Sequence, residues 1–360
     1  MIRELHVEGL NDEHNIDLVF NDNINLLTGD NGCGKTTILK ILWYLISPNV
    51  ERAFSEIEFS SIAMQCDSYS LELSKKEMRA IYIPIDGDSI EIENRFRVKG
   101  TTKRGNRFPT RFERDLEDIN DAIRKLNGAS LFFPTYRRIE ERRDVGHGEF
   151  DRLDLALNRL VSSISVDNHK LIASLSTQDI KNLITERYAD CSDHALRKKE
   201  ELLNEIVADI NEIKSCGVIQ PNSAVNVLQQ LVCKIEQANQ EQENIFRPFS
   251  SMQEILSLFI NDKTVQINKN LSLGELDRVI SSEKLSSGEK QLLSFLAYNA
   301  FYTETLILID EPELSLHPDW QRMLIPALES QMSNNQLIMA THSPFIYSKY
   351  PEAELIIGNH

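Results

Sequence analysis

Cysteine is scarce: Cys33, Cys66, Cys191, Cys216 and Cys233 are the five in 360 residues, and none pair as C-x-x-C. An odd, scattered set argues against a disulfide framework or a cysteine metal site and fits reduced thiols in a cytosol. Apolar runs are short, none near bilayer-spanning length, and the start Met1-Ile2-Arg3-Glu4 is no signal peptide. Positive charge is in deficit, with 39 Lys and Arg against 55 Asp and Glu, a formal net charge of −16. That balance excludes wholesale, sequence-independent coating of nucleic acid or an acidic membrane, but not a local basic patch. Hydrophobic residues at 41% and charged residues at 26% exclude a disordered or fibrous chain. The expectation is a soluble, acidic, cytoplasmic protein that buries a large core without staples.

What is present has a clear order. Ile2, Leu5, Val7 and Leu10 suggest a first strand, and Ile16, Leu18 and Phe20 alternate in a second. Ile24–Leu27 reads as a buried strand stopping at Thr28-Gly29, and Lys35–Ile46 as a helix ended by Ser47-Pro48. Residues 57–100 are strand-rich, and Leu131-Phe132-Phe133 is a further strand. From about 150 to 270 glycine becomes scarce, and Ala195–Ile213 and Ala224–Ile245 read as helices. Sustained heptads are lacking there, so no long coiled-coil arm is expected. Beyond Ser286 strand and helix alternate again: helix Lys290–Phe301, strand Thr305–Ile309, helix Trp320–Met332, strand Gln336–Ala340. This predicts an α/β protein whose two ends share one parallel-sheet core. The expected divisions are 1–150, a helical insertion over 151–270, and 271–360.

Gly29-Asp30-Asn31-Gly32-Cys33-Gly34-Lys35-Thr36 fits G-x-x-x-x-G-K-[ST], between a predicted strand and a predicted helix. Glycines let the backbone turn so that successive N–H groups point at phosphate oxygens. The helix beginning at Lys35 aims its positive end at the same anion. Asn31, Gly32, Cys33, Gly34, Lys35, Thr36 and Thr37 are therefore the expected nucleotide-binding set. Lys35 would neutralise β/γ-phosphate charge, and the Thr36 hydroxyl would ligate Mg²⁺.

Leu306-Ile307-Leu308-Ile309-Asp310-Glu311 is an apolar strand ending in two acids. Such a strand delivers carboxylates to the carboxyl edge of a parallel sheet, where ligands bind. Asp310 is the expected metal partner, and Glu311 the base that polarises the attacking water. Upstream lies Leu285-Ser286-Ser287-Gly288-Glu289-Lys290-Gln291, whose serines and glycine would open a second anion-binding helix N-terminus. Downstream, Thr341-His342-Ser343-Pro344 follows the next buried strand and puts His342 at a strand's end.

In this order the motifs resemble the ABC-type ATPase heads of the SMC and repair-ATPase group. The nearest likeness is to the branch found in OLD-family nucleases and in prokaryotic anti-phage ATPases of the Septu kind. The matching segments are 1–48 and 283–347, about a third of the chain. The resemblance implies a P-loop NTPase with a mixed, mainly parallel core sheet, an antiparallel β subdomain and a helical insertion. It implies that Ser286, Ser287, Gly288 and Glu289 form a signature contacting ATP held by a second subunit. Ser315-Leu316-His317 would lie in the D-loop at that interface, and His342 would be the switch histidine. Two ATP sites would then form in a head-to-tail dimer. Ser287 stands where the family often has glycine, and Glu289 where transporters often have glutamine. Gln65 is the candidate for the Q-loop glutamine by position. Phe133-Pro134-Thr135-Tyr136-Arg137 is similar to an aromatic–Pro–Arg segment of related ATPases, making Arg137 or Arg138 a candidate near nucleotide.

Arg95–Arg114 carries six arginines and two lysines against one acid, interleaved with Phe96, Phe108 and Phe112. As a loop or hairpin it suits a phosphate-backbone contact with DNA or RNA, or pairing with the protein's own excess acids. Arg137–Arg143 is balanced by acids and reads as a salt-bridged surface. No nuclease motif, catalytic triad or membrane segment stands out. The expected activity is ATP hydrolysis with Mg²⁺, controlling a separate nuclease or other effector in anti-phage defence. Two alternatives stay open: a RecF-like repair ATPase that clamps DNA, and a scaffold in which ATP is structural.

Overall fold

A computed structural model describes residues 1–11, 14–85, 89–93, 110–126, 128–135, 138–139, 161, 164–175, 177–215, 221–259 and 286–358. The chain opens with strands β1 (Ile2–Leu10), β2 (His14–Val19) and β3 (Ile24–Thr28), then helices α1 (Lys35–Ile46) and α2 (Val50–Glu56). Four strands follow: β4 (Ser61–Cys66), β5 (Tyr69–Ser74), β6 (Arg79–Pro84) and β7 (Ile90–Glu93). With β1 and β2 they form a six-stranded antiparallel sheet in the order β2-β1-β4-β5-β6-β7.

The apolar residues of β1 do not keep a period of two. Ile2, Leu5, Val7 and Leu10 are nevertheless all buried. The register shifts between Ile2 and Glu4 against β4, and between Val7 and Leu10 against β2. Each shift falls where the alternation breaks, and an irregularity of one residue is what returns the next apolar side chain to the same face.

The second sheet contains β3 and strands from both ends of the chain. After helix α3 (Thr110–Arg124) come β8 (Ser130–Phe133), the two-residue β9 (Arg138–Ile139), β10 (His169–Leu171) and β11 (Ser174–Leu175). Near the other end lie α6 (Ser287–Phe301), β12 (Leu306–Asp310), α7 (Pro318–Ser330), β13 (Gln336–Ala340), the single turn α8 (Pro344–Tyr347) and β14 (Glu354–Ile356). The order β10-β8-β12-β13-β3-β14 is parallel at every pairing. Successive residues of β12 alternate between two cores. Leu306 and Leu308 face α1 and the antiparallel sheet, whereas Ile307 and Ile309 face α6 and α7. Burial on both faces is why these strands are apolar throughout. The α/β class, with a parallel sheet, an antiparallel sheet and added helices, is as the motifs led us to expect.

Buried polar groups join strands both between the sheets and within one of them. Gln336, fully buried at the start of β13, accepts from the Ile2 N–H and donates to the Ile2 carbonyl, both at 2.8 Å, and also donates to Asn21 O at 2.9 Å. On β10, His169 is 3% exposed, and its Nδ1 lies 2.8 Å from the Ser130 hydroxyl of β8. Burial pulls its pKa down to about 4.

The middle of the chain corrects one expectation. Helices α4 (Thr177–Ser215) and α5 (Pro221–Phe259), each of 39 residues, pack together as a long hairpin. At 1.5 Å per residue each spans about 58 Å. Their bases, through Ile180, Leu183, Ile184, Phe249, Met252 and Ile255, enter the core beside α6. Further out, Lys234 pairs with Asp209 at 2.8 Å and Glu205 at 3.4 Å, so an ionic layer replaces an apolar one. That substitution hides the heptad, and two antiparallel helices need no unbroken one. Leu196, Leu203, Val207, Val232 and Ile235 remain more than 40% exposed on this arm. Among the described residues no helix is both long and apolar enough to cross a membrane.

The basic segment also changes. Its last five residues open α3 rather than continuing a loop, while 95–109 lie outside the described residues.

Candidate functional site

Four adjacent parallel strands, β8, β12, β13 and β3, end at one edge of the core sheet. Ile309 lies opposite Phe133, Asp310 opposite Ala340, and Ala340 opposite Leu27. The register therefore brings the segments after Phe133, Ile309, Ala340 and Leu27 to the same place.

The phosphate loop follows β3. Gly34 takes φ 100° at the N-cap of α1, a conformation that a side chain would strain. Asn31 and Gly32 are exposed, Cys33, Gly34, Thr36 and Thr37 half-buried, and Lys35 buried. The Lys35 ammonium donates to the carbonyls of Gly29 and Asp30, each at 2.9 Å, and sits 3.5 Å from Cys33 Sγ. It is thereby held inside the loop it must serve. No acidic residue of α1 itself lies in its first turn, which keeps the helix's positive end available to an anion.

Thr36 Oγ1 donates to Asp310, at 2.9 Å to Oδ2 and 3.1 Å to Oδ1. Asp310 is 1% exposed at the end of β12. A second hydroxyl, Thr135 Oγ1, donates to the same Oδ2. Two hydroxyls and a buried carboxylate are hard oxygen donors of the kind Mg²⁺ takes. Thr135 was not singled out from the sequence. Its signal was a polar residue just past a buried strand, the same signal that marked Asp310. Gln65, the Q-loop candidate, instead lies within β4, with an exposed side chain, opposite Glu4 and Ser70 in the antiparallel sheet. Arg137 lies outside the described residues, and Arg138 begins β9.

Glu311 follows Asp310 at φ 49°, with its N–H on the Ala340 carbonyl at 2.8 Å. His342 is exposed just beyond β13, and its N–H donates to Glu313 Oε1 at 2.7 Å. The signature region forms the start of α6. Ser286 caps it by accepting from the Glu289 N–H at 3.3 Å, and Glu289 accepts from the Ser286 N–H at 2.6 Å. This reciprocal capping occupies the N–H groups of Ser286 and Glu289. Gly288 packs so closely on the Ser315 carbonyl that a Cβ there would overlap it.

A phosphate loop that encloses its lysine, and whose threonine meets a carboxylate at the end of a parallel strand two places away in the same sheet, defines a P-loop ATPase. Residues 1–347 match the AAA ATPase domain, and the chain belongs to that family. It is 40% identical to Septu protein PtuA of Bacillus thuringiensis, across 99% of this chain and 75% of that protein. It is 22% identical to the Retron Vc95 probable ATPase of Vibrio cholerae serotype O1 biovar El Tor, across 94% and 69%. Endonuclease GajA of Bacillus cereus (strain HuB5-5) is 24% identical, across 89% of this chain and 52% of its own length. Among solved structures, the SMC head domain from Thermotoga maritima covers 99% of this chain and 93% of its own, at 14% identity and a TM-score of 0.36. The protein is an ATPase.

Proposed function

We propose that the chain binds ATP with Mg²⁺ at the edge where β3 and β12 end, and hydrolyses it as a head-to-tail dimer that controls a separate effector. The observation carrying this reading is the hydrogen bonding of Thr36 to Asp310, which joins the phosphate loop to the acidic strand end. Backbone N–H groups of residues 31–37 would hold the phosphates, and Lys35 would neutralise β/γ-phosphate charge. Mg²⁺, held by Thr36 and Asp310, would supply charge neutralisation on the phosphate oxygens. Glu311 takes the proton of the attacking water, whose oxygen bonds to the γ-phosphorus as the bond to the bridging oxygen breaks and ADP leaves. His342 faces the γ-phosphate. Ser286, Ser287, Gly288 and Glu289 act on the nucleotide of the second copy, where the positive end of α6, capped by Ser286, would favour phosphate.

The effector is a nuclease or another protein acting in anti-phage defence inside the cell. Support comes from the Septu and retron relatives, and from a relative named as an endonuclease that extends well beyond the region shared with this chain. Replacing Glu311 by Gln tests the mechanism. Hydrolysis should fall at least about a hundredfold, and a dimer should accumulate in ATP and Mg²⁺ by light scattering. Wild-type turnover in that variant would sink the assignment. Co-purification of the wild-type chain with a nuclease would support the effector reading, and a chain that remains alone after mild purification would count against it.

A further inference from the structure

The segment Glu311–His317, between β12 and α7, is bolted to two others that the proposed mechanism treats separately. On the signature side, Gln291 of α6 is 1% exposed and donates to the Pro312 carbonyl at 3.0 Å. Gly288, one turn earlier, rests on the Ser315 carbonyl. On the side of β13, Glu313 accepts twice. Its Oε2 takes the Thr341 hydroxyl at 2.9 Å, and its Oε1 takes the His342 N–H at 2.7 Å. The Thr341 oxygen in turn accepts from the Ser343 N–H at 3.0 Å. Gln321 of α7 adds a second clasp: it donates to the Leu316 carbonyl at 2.8 Å and accepts from the Ser343 hydroxyl at 2.5 Å.

This connecting turn is also backbone-strained. Glu311 and Ser315 both take positive φ, 49° and 65°. Non-glycine residues hold that conformation only where surrounding contacts enforce it. Among the described contacts, the Glu313 carboxylate is the side chain that reaches the His342 backbone, and a charged acceptor makes its two bonds stronger than neutral ones.

We propose that Glu313 is a positioning residue. It fixes the backbone that carries His342 and makes that backbone move with the turn packed on the signature helix. Pressure on the start of α6 from a second copy would reach Ser315 through Gly288, then His342 through Glu313. Partner engagement at one nucleotide would thereby set the histidine at the other. The inference rests on His342 acting at the γ-phosphate, as proposed above.

The experiment combines a double-mutant cycle with hydrogen exchange on the full chain. Glu313→Ala should lower kcat about ten- to a hundredfold, because small misplacements cost that much, while affinity for a fluorescent ATP analogue stays within about twofold. Glu313→Gln, which keeps an acceptor for the His342 N–H, should recover part of the loss. In a His342→Ala background, Glu313→Ala should cost almost nothing further, since residues acting as a unit are non-additive. Equal losses in both backgrounds, or a parallel loss of nucleotide affinity, would overturn the proposal. Exchange in the peptide covering 341–347 should be faster in Glu313→Ala than in wild type, whatever the turnover; unchanged exchange overturns the clasp itself. If His342→Ala hydrolyses ATP at the wild-type rate, the assignment of His342 fails instead. If His342→Ala is slow and Glu313→Ala is not, only the present inference fails. Glu313→Gln guards against misfolding: with thermal unfolding near wild type, turnover above that of Glu313→Ala supports positioning through the His342 N–H, and turnover as low as that of Glu313→Ala rejects it.

Discussion

Thr36 and Asp310, 274 positions apart, meet through a hydroxyl that reaches both oxygens of one buried carboxylate, with Thr135 on the same group. If these atoms hold the metal, Asp310→Asn should weaken ATP affinity in Mg²⁺ at least about tenfold and leave affinity in EDTA nearly unchanged. Calorimetric titration with and without Mg²⁺ measures both. A loss of equal size in EDTA would point to a folding defect.

Thr135→Val should act in the same direction as Asp310→Asn, more weakly, because one acceptor bond of the carboxylate goes unfilled at a cost of about 1–3 kcal/mol. Gln65→Ala should leave Mg²⁺-dependent affinity where it was. The pair of variants asks which side chain supports the carboxylate, and a response to Gln65 alone would reverse our placement.

Gln336→Leu should destabilise the protein by about 2–4 kcal/mol. It strands the buried Ile2 N–H and Ile2 carbonyl, and removes the bond to the Asn21 carbonyl, at the junction between the sheets. Denaturant titration at neutral pH reads the change. A shift below about 0.5 kcal/mol would mean that water replaces the amide.

His169 gives a pH signature. Its folded pKa, about 4, lies below the ordinary histidine value of 6.5. The unfolded chain therefore binds the extra proton first as pH falls. The histidine's share of stability is intact above about pH 6.5 and is lost between 6.5 and 4. By pH 4.5 this amounts to about 2–3 kcal/mol. His169→Gln should flatten that part of the stability profile in denaturant titrations at pH 7 and 4.5. An equally steep fall in the variant would assign the acid sensitivity to other groups.

The parts of this protein that could be read in advance are those where local chemistry is self-sufficient. Lys35–Ile46 was delimited because a phosphate loop and Ser47-Pro48 bracket one apolar face. Gln336–Ala340 was delimited because a strand buried on both faces admits almost nothing but apolar residues. What escaped reading depends on distant partners. The choice of Thr135 over Gln65 is a matter of which strand lies beside β12, and nothing within either segment states it. The arm escaped because Lys234 meets Glu205 and Asp209 across the hairpin, where a search for heptads wants leucine. In β1 the irregular spacing of Ile2, Leu5, Val7 and Leu10 is itself information: each three-residue gap, Ile2–Leu5 and Val7–Leu10, marks a register shift.

The sheet order has a consequence for synthesis. Strand β3 lies between β13 and β14, so the apolar segment Ile24–Thr28 has no permanent neighbours until residues beyond 336 have been made. At ribosomal speeds of roughly 5–20 residues per second, that is a wait of about 15–60 seconds. A nascent chain passes most of this time with its phosphate loop already made and its acidic strand, Leu306–Asp310, not yet translated. Until Leu306–Asp310 has been made, Thr36 lacks the Asp310 carboxylate that joins the phosphate loop to the edge of the core sheet.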